Sequence, residues 1–151
     1  METFTPALVE EAEITELIPQ RFPFIMVHRL LHSDEEKTIC SFTVREDNIF
    51  TIAGVLEEPA LIENIAQTAA TRIGYSIYKA KLEGKESAVQ VGFIGAISNL
   101  SITELPKLGA EVITEVTFEK EVLDVILIKG VSTVDNREMA CCEMKIFIKK
   151  N

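Results

Sequence analysis

Glu63 has the setting in which a carboxyl group does chemistry. It lies in Pro59-Ala60-Leu61-Ile62-Glu63-Asn64-Ile65-Ala66-Gln67, with apolar neighbours and with Gln67 one helical turn further along the same face. Two readings are open. A carboxylate in the first turn of a helix interacts favourably with the helix dipole and can be a solvated surface group. A partly buried carboxyl in the same place can serve as a general acid or base. Just upstream, Gly54-Val55-Leu56 can bring bare backbone N–H groups to the same spot. Together with a helix N-terminus they suit a carbonyl oxygen that gains negative charge in a reaction. A loop that needs glycine for its turn explains Gly54 equally well.

The other reactive side chains are few. The two histidines, His28 and His32, both fall in the first strand region. Three cysteines and no Cys-x-x-Cys spacing supply no zinc set, so neither a metal nor another cofactor is expected. Cys141 and Cys142 are adjacent and would point to opposite sides of a strand, which makes them a poor disulfide pair. They read as reduced, structural residues of a cytoplasmic protein.

The elements that must hold Glu63 follow from the hydrophobic pattern. From Pro59 to Ala80, apolar residues recur at Ile62, Ile65, Ala66, Ala69, Ala70, Ile73 and Ile77, which is helical spacing. Pro59 suits the first turn and Gly84 the end. About six turns give a length of roughly 30 Å. Alternation predicts strands over Thr38–Glu46, Glu111–Glu121, Asp124–Val134 and Met139–Ile148, with a long apolar stretch at Val89–Ile102. Val112, Thr114, Val116 and Phe118 share one face, as do Cys142, Met144, Ile146 and Ile148. Near the start, Ile14–Ile18 can make one helical turn closed by Pro19. Phe22–Val27, with Pro23 near its beginning, is irregular or the start of a strand. One long, mostly apolar helix and several antiparallel strands make an α+β domain in which a curved sheet wraps the helix. Pairing of edge strands between two chains would help to cover it.

Composition limits the partners. A chain of 151 residues with 47% hydrophobic and 26% charged residues is a single globular domain. A net charge of −9 and the absence of a basic stripe exclude nucleic acid, since Lys79, Lys81 and Lys85 read as a solvated helix end. No apolar run is long enough to span a bilayer, and the acidic residues 1–14 lack the order of a signal peptide.

Two motifs resemble a known family. Ile14-Thr15-Glu16-Leu17-Ile18-Pro19-Gln20-Arg21-Phe22-Pro23-Phe24-Ile25-Met26-Val27-His28-Arg29-Leu30 resembles the opening of the 3-hydroxyacyl-acyl-carrier-protein dehydratases, I-x-x-L-L-P-H-R-Y-P-F-L-L-V-D-R-V. Leu61-Ile62-Glu63-Asn64-Ile65-Ala66-Gln67-Thr68-Ala69-Ala70 resembles their L-I-I-E-A-M-A-Q-A-A. Within the family the chain looks closest to the small dehydratase-like proteins of aryl-polyene and flexirubin-type pigment formation. The resemblance implies a hotdog fold, a dimer, and an acyl chain held in a tunnel between subunits. It implies that Glu63 assists loss of the β-hydroxyl while a histidine of a G-H-F-P-G loop removes the α-proton. Substrate contacts are expected from Phe50, Gly54 and Leu56 of the corresponding loop, and from Gln67.

That loop departs from the family. Asn48–Pro59 keeps the asparagine, a phenylalanine and a glycine, but it is shorter and has no histidine. His28 stands where the family carries aspartate and reads as structural, and His32 as exposed. Three functions remain open. The chain is a thioesterase in which Glu63 activates water, or a non-catalytic subunit that binds acyl carrier protein or completes a hetero-oligomer with an active dehydratase, or a dehydratase whose base comes from a partner chain or from His28. In each case the ligand is an acyl thioester of acyl carrier protein or coenzyme A.

Overall fold

A computed structural model describes residues 6–88 and 90–150, with only the backbone of residue 150. It contains a 3₁₀ helix at Glu11–Glu16, one α-helix and eight strands: β1 Arg29–Ser33, β2 Lys37–Thr43, β3 Thr51–Ile52, β4 Val55–Leu56, α1 Glu58–Leu82, β5 Gln90–Ile102, β6 Glu111–Val122, β7 Val125–Val134 and β8 Arg137–Lys150. Six strands form one antiparallel sheet in the order β1-β2-β6-β7-β8-β5, and β3 with β4 forms a separate small hairpin. Helix α1 touches β2, β5, β6 and β7, elements from both ends of the sheet, so the sheet curls around it. This is the expected α+β architecture of a long helix wrapped by a curved sheet.

The helix ends as its sequence requires. Pro59 sits in the first turn, where its missing N–H costs no bond. At the other end Gly84 takes φ +72, its N–H reaches Lys81 O at 3.1 Å, and the N–H of Lys85 reaches Ala80 O at 2.8 Å. That pair of bonds satisfies carbonyls which the last turn leaves open. The inner faces of β6 and β8 are as read from the alternation: Val112, Thr114 and Val116 are buried, as are Cys142, Met144 and Ile148. Gly130 of β7 lets the helix come close, because a β-carbon there would overlap the side chain of Ile65.

Three details differ from the sequence reading. The N-terminal helical turn is a 3₁₀ helix at Glu11–Glu16, earlier than Ile14–Ile18. Glu63 is the sixth residue of α1, past the first turn, because the helix begins at Glu58. The buried face of the helix is also less apolar than expected, since Asn64, Gln67, Thr68 and Thr71 all lie within it. The beginning of the apolar stretch, Val89, lies outside the described residues.

Candidate active site

Glu63 is half-buried, and its Oε1 accepts a hydrogen bond from Gln67 Nε2 at 2.9 Å. The Gln67 amide is buried and fully engaged with the irregular segment before β1. Its Nε2 also donates to Phe24 O at 2.8 Å, and its Oε1 accepts from Met26 N at 2.7 Å. Asn64 takes the other side of the same residue, donating from Nδ2 to Met26 O at 2.7 Å. Thr114 on β6 donates to Asn64 Oδ1 and lies 3.0 Å from the hydroxyl of Ser132 on β7. Asn48 Nδ2 meets the sulfur of Met26 at 3.3 Å. A polar chain thus runs from the sheet through the helix to Met26. Buried polar groups of this kind are stable only when partnered, and these are.

The helical stripe headed by Glu63 continues through Ala66, Ala70, Ile73 and Ile77, residues spaced to share one face. Those four line an apolar groove of about 400 Å³, closed on its far side by Val91, Gly92 and Ile94 of β5 and by Phe118. From Ala66 to Ile77 the stripe is roughly 16 Å long. Glu63 lies three residues before Ala66, the first of these groove-lining residues, and is not itself part of the lining. The small alanines make the room.

The expected substrate contacts are not brought together. Leu56 is fully buried in the cluster of Met26, Phe42, Val44, Ala60 and Leu61, with its N–H bonded to Pro106 O at 2.8 Å. It is a core residue, not a surface that a substrate meets. Gln67 is likewise occupied by protein groups and stands behind Glu63. Phe50 is partly buried against the same core, and its N–H is held by Asn48 Oδ1. Gly54, at φ +78, follows Ala53 at φ 52 in the tight turn between β3 and β4, and its carbonyl accepts from Leu108 N. A two-residue turn with both φ values positive favours glycine, so turn geometry accounts for Gly54. Among the described residues no hydrogen bond joins this hairpin to Glu63.

Among the described residues neither histidine shares a hydrogen bond, an ion pair or a cavity with Glu63. His28 lines a smaller cavity with Glu11, Arg45 and Asp47, and its ring packs on Phe42 with centroids 4.7 Å apart. Its Nδ1 accepts from Thr43 N at 3.0 Å, and burial, helped by Arg45, pushes its pKa down to about 4. His32 is bound to Asp34 at the hairpin turn, 2.6 Å away. Burial pushes the Cys40 thiol up to about 12 and the Cys142 thiol up to about 11, so both stay protonated. Among the described residues no cluster of His, Cys, Asp and Glu could hold a metal ion, and no helix is long and apolar enough to cross a membrane.

What sequence reasoning missed is Asn64 with Thr114 and Ser132. The signal was present, since a polar residue stands at 64 where the resembling motif has alanine, and Thr114 lies on the inner face of β6.

Comparison with known proteins bears on the family and the fold. Residues 12–125 match the ApeP-like family, described as ApeP dehydratase. The 3-hydroxyacyl-[acyl-carrier-protein] dehydratase FabZ of Sodalis glossinidius is 30% identical over 129 residues, 85% of each chain. Among solved structures, the dehydratase heterocomplex ApeI:P from Xenorhabdus doucetiae superposes with a TM-score of 0.77 at 13% identity, covering 90% of each chain. A hypothetical thioesterase with coenzyme A from Streptococcus pneumoniae gives a TM-score of 0.62 at 10% identity, covering 81% of this chain and 85% of that one. These last two likenesses establish the hotdog fold.

Proposed function

Since this chain belongs to the ApeP-like dehydratase family, we propose that it is a subunit of a dehydratase for 3-hydroxyacyl thioesters of acyl carrier protein, contributing Glu63 as the acid while another chain supplies the base. The observation that carries this reading is Glu63 itself: a half-buried carboxyl group anchored by Gln67, on the helix whose following turns line the apolar groove, with no imidazole in the hairpin beside α1. His28 is a poor substitute, because its Nδ1 is already an acceptor for Thr43 and burial keeps the ring weakly basic.

In the proposed step the base removes the α-proton, and the freed electron pair forms the Cα–Cβ double bond. The Cβ–O bond breaks, the departing hydroxyl takes the Glu63 proton, and water leaves. Glu63 is left as a carboxylate, and solvent returns the base's proton to it. A positioned base contributes ~10²–10⁴-fold in rate, so the chain alone should dehydrate poorly.

The exposed strand β5 supports assembly with a second hotdog chain. Among the described residues it pairs only with β8, every residue from Gln90 to Ser101 is exposed, and it carries Val91, Phe93, Ile94, Ile97 and Leu100. A sheet edge of this kind is a template for another strand. A second copy of the chain would bring the same histidine-free hairpin, so the base calls for a different chain. The test is to incubate the protein with 3-hydroxyacyl thioesters, alone and with a hotdog chain that carries the histidine loop, and to follow products by mass. Enoyl product only in the mixture supports the proposal. Enoyl product from the chain alone, or free acid from thioester hydrolysis, would overturn it.

A further inference from the structure

The turn between β6 and β7 carries the most exposed large apolar side chain among the described residues. Leu123 is 90% exposed and takes φ 58, a conformation that a bulky side chain rarely adopts. In a two-residue hairpin loop with positive φ at its first residue, glycine is the relaxed choice. Leucine there combines backbone strain with hydrophobic exposure, and the core gains nothing from it. The turn is nevertheless held firmly, because the N–H of Ile148 on β8 donates to Asp124 O at 2.9 Å.

Behind this tip the outer face of the sheet is apolar in the middle and basic at the rim. Val122, Val125 and Phe147 stand opposite one another across β6, β7 and β8, and Val122 and Phe147 are exposed. Their neighbours Ile126 and Ile146 pack inward, so the row faces out. Lys120 and Lys145 flank Leu127 in the next row, and Lys149 follows Phe147 by two residues on the same face. All three lysines are exposed, and among the described residues none of them has an ion pair. The acids nearby are placed otherwise. Glu121 pairs with Ile126 and so belongs to the opposite face, Glu143 accepts from Asn99 at 2.6 Å, and Asp124 in the turn is already engaged. Glu119 lies at the bulge after Phe118.

We propose that this tip and its lysines are a peripheral docking surface for an anionic lipid bilayer, with Leu123 entering the boundary between headgroups and acyl chains. An apolar point rimmed by unpaired cations suits that boundary. The apolar group leaves water there, while flexible lysine stems carry their charges to the phosphates. A protein partner would need a hole shaped for a projecting leucine, whereas a bilayer accepts a convex surface. The chain as a whole carries −9, so it can approach an anionic surface favourably only through a face of this kind. This docking does not depend on the role of Glu63.

The test uses the full chain at low ionic strength with two kinds of vesicle, phosphatidylcholine alone and phosphatidylcholine mixed with phosphatidylglycerol. Sedimentation should show binding only to the vesicles with phosphatidylglycerol, and added salt should release it. Lys120→Gln, Lys145→Gln and Lys149→Gln together should lower the partition by about 10²-fold. Leu123→Gly should lower it on the order of 10-fold, and should raise the urea midpoint because glycine relaxes the turn. Since the chain has no tryptophan, Leu123→Trp supplies a single fluorescent reporter at the tip. Its emission should shift to the blue on the anionic vesicles alone. Wild type that does not bind anionic vesicles, or binding that the lysine and leucine changes leave unaltered, would overturn the proposal. So would binding without the blue shift. Affinity for acyl carrier protein that the same variants lose, with none for vesicles, would also overturn it and assign the face to a protein partner.

Discussion

Gly74 of the helix packs against the backbone of Leu17 so closely that a β-carbon at position 74 would overlap the Leu17 carbonyl. This contact joins α1 to the N-terminal segment whose following residues, Phe24 and Met26, hold Gln67. Helix propensity alone says that Gly74→Ala should stabilise by about 1 kcal/mol. The overlap is with backbone, which cannot rotate away, and overpacking costs typically 1–3 kcal/mol. The overlap should win. Gly74→Ala is expected to lower stability in urea unfolding, and a stabilised variant would show that the segment shifts freely.

The Asn64–Thr114 bond is expected to be strongly coupled. Asn64→Ala leaves Met26 O without its donor, at roughly 1–3 kcal/mol for a buried group, while the Thr114 hydroxyl keeps Ser132. Thr114→Val removes the donor to Asn64. A double-mutant cycle in urea should give a coupling of about 0.5–3 kcal/mol, and strict additivity would mean that the two residues do not interact.

How much of this was legible beforehand depends on the kind of contact. The helix and the long strands announce themselves by period, because burial repeats with the backbone. The pairing of Glu63 with Gln67 is local, four residues apart, and follows from helical spacing. The rest is not local. Asn64 meets Thr114 fifty residues later, and nothing at either position specifies the other. Leu56 lies two residues after Gly54 in the loop where the resemblance implies substrate contacts, yet strand geometry turns it into the core. Gly54 itself serves the β3–β4 turn.

His28 makes stability depend on pH. Its folded pKa, near 4, lies below the ordinary 6.5 because burial, and then Arg45, disfavour the charged ring. The unfolded chain therefore binds more protons between those values, and stability falls as pH drops from about 6.5 to about 4. The loss is on the order of 3 kcal/mol at most. Glu11 acts in the same direction at lower pH, because its bond from Arg45 holds its pKa below 4.5. Asparagine can place an oxygen near the Nδ1 position, so His28→Asn should keep the Thr43 bond and flatten the slope between pH 7 and pH 5. An unchanged slope in urea midpoints would assign the dependence to other groups.

Strand β5 is expected to be the assembly edge. Phe93→Lys with Ile97→Lys puts two charges on a strand where both side chains are exposed. Edge charges oppose strand pairing. The variant should lower the mass seen by light scattering at micromolar concentration and abolish activity in the mixed assembly. An unchanged mass would move the interface elsewhere.

The central claim is that Glu63 supplies the acid to a base carried by another chain, and complementation measures this directly. The partner is a hotdog dehydratase chain that keeps its histidine loop but whose own helix carboxylate has been replaced, so that it is inactive alone. Mixed with this protein, it is expected to dehydrate a 3-hydroxyacyl thioester. Mixed with Glu63→Gln, which keeps the side-chain shape, it should fall back to its rate alone while the two chains still associate. Equal turnover with wild type and Glu63→Gln would contradict the account and leave the chain as a subunit that only binds.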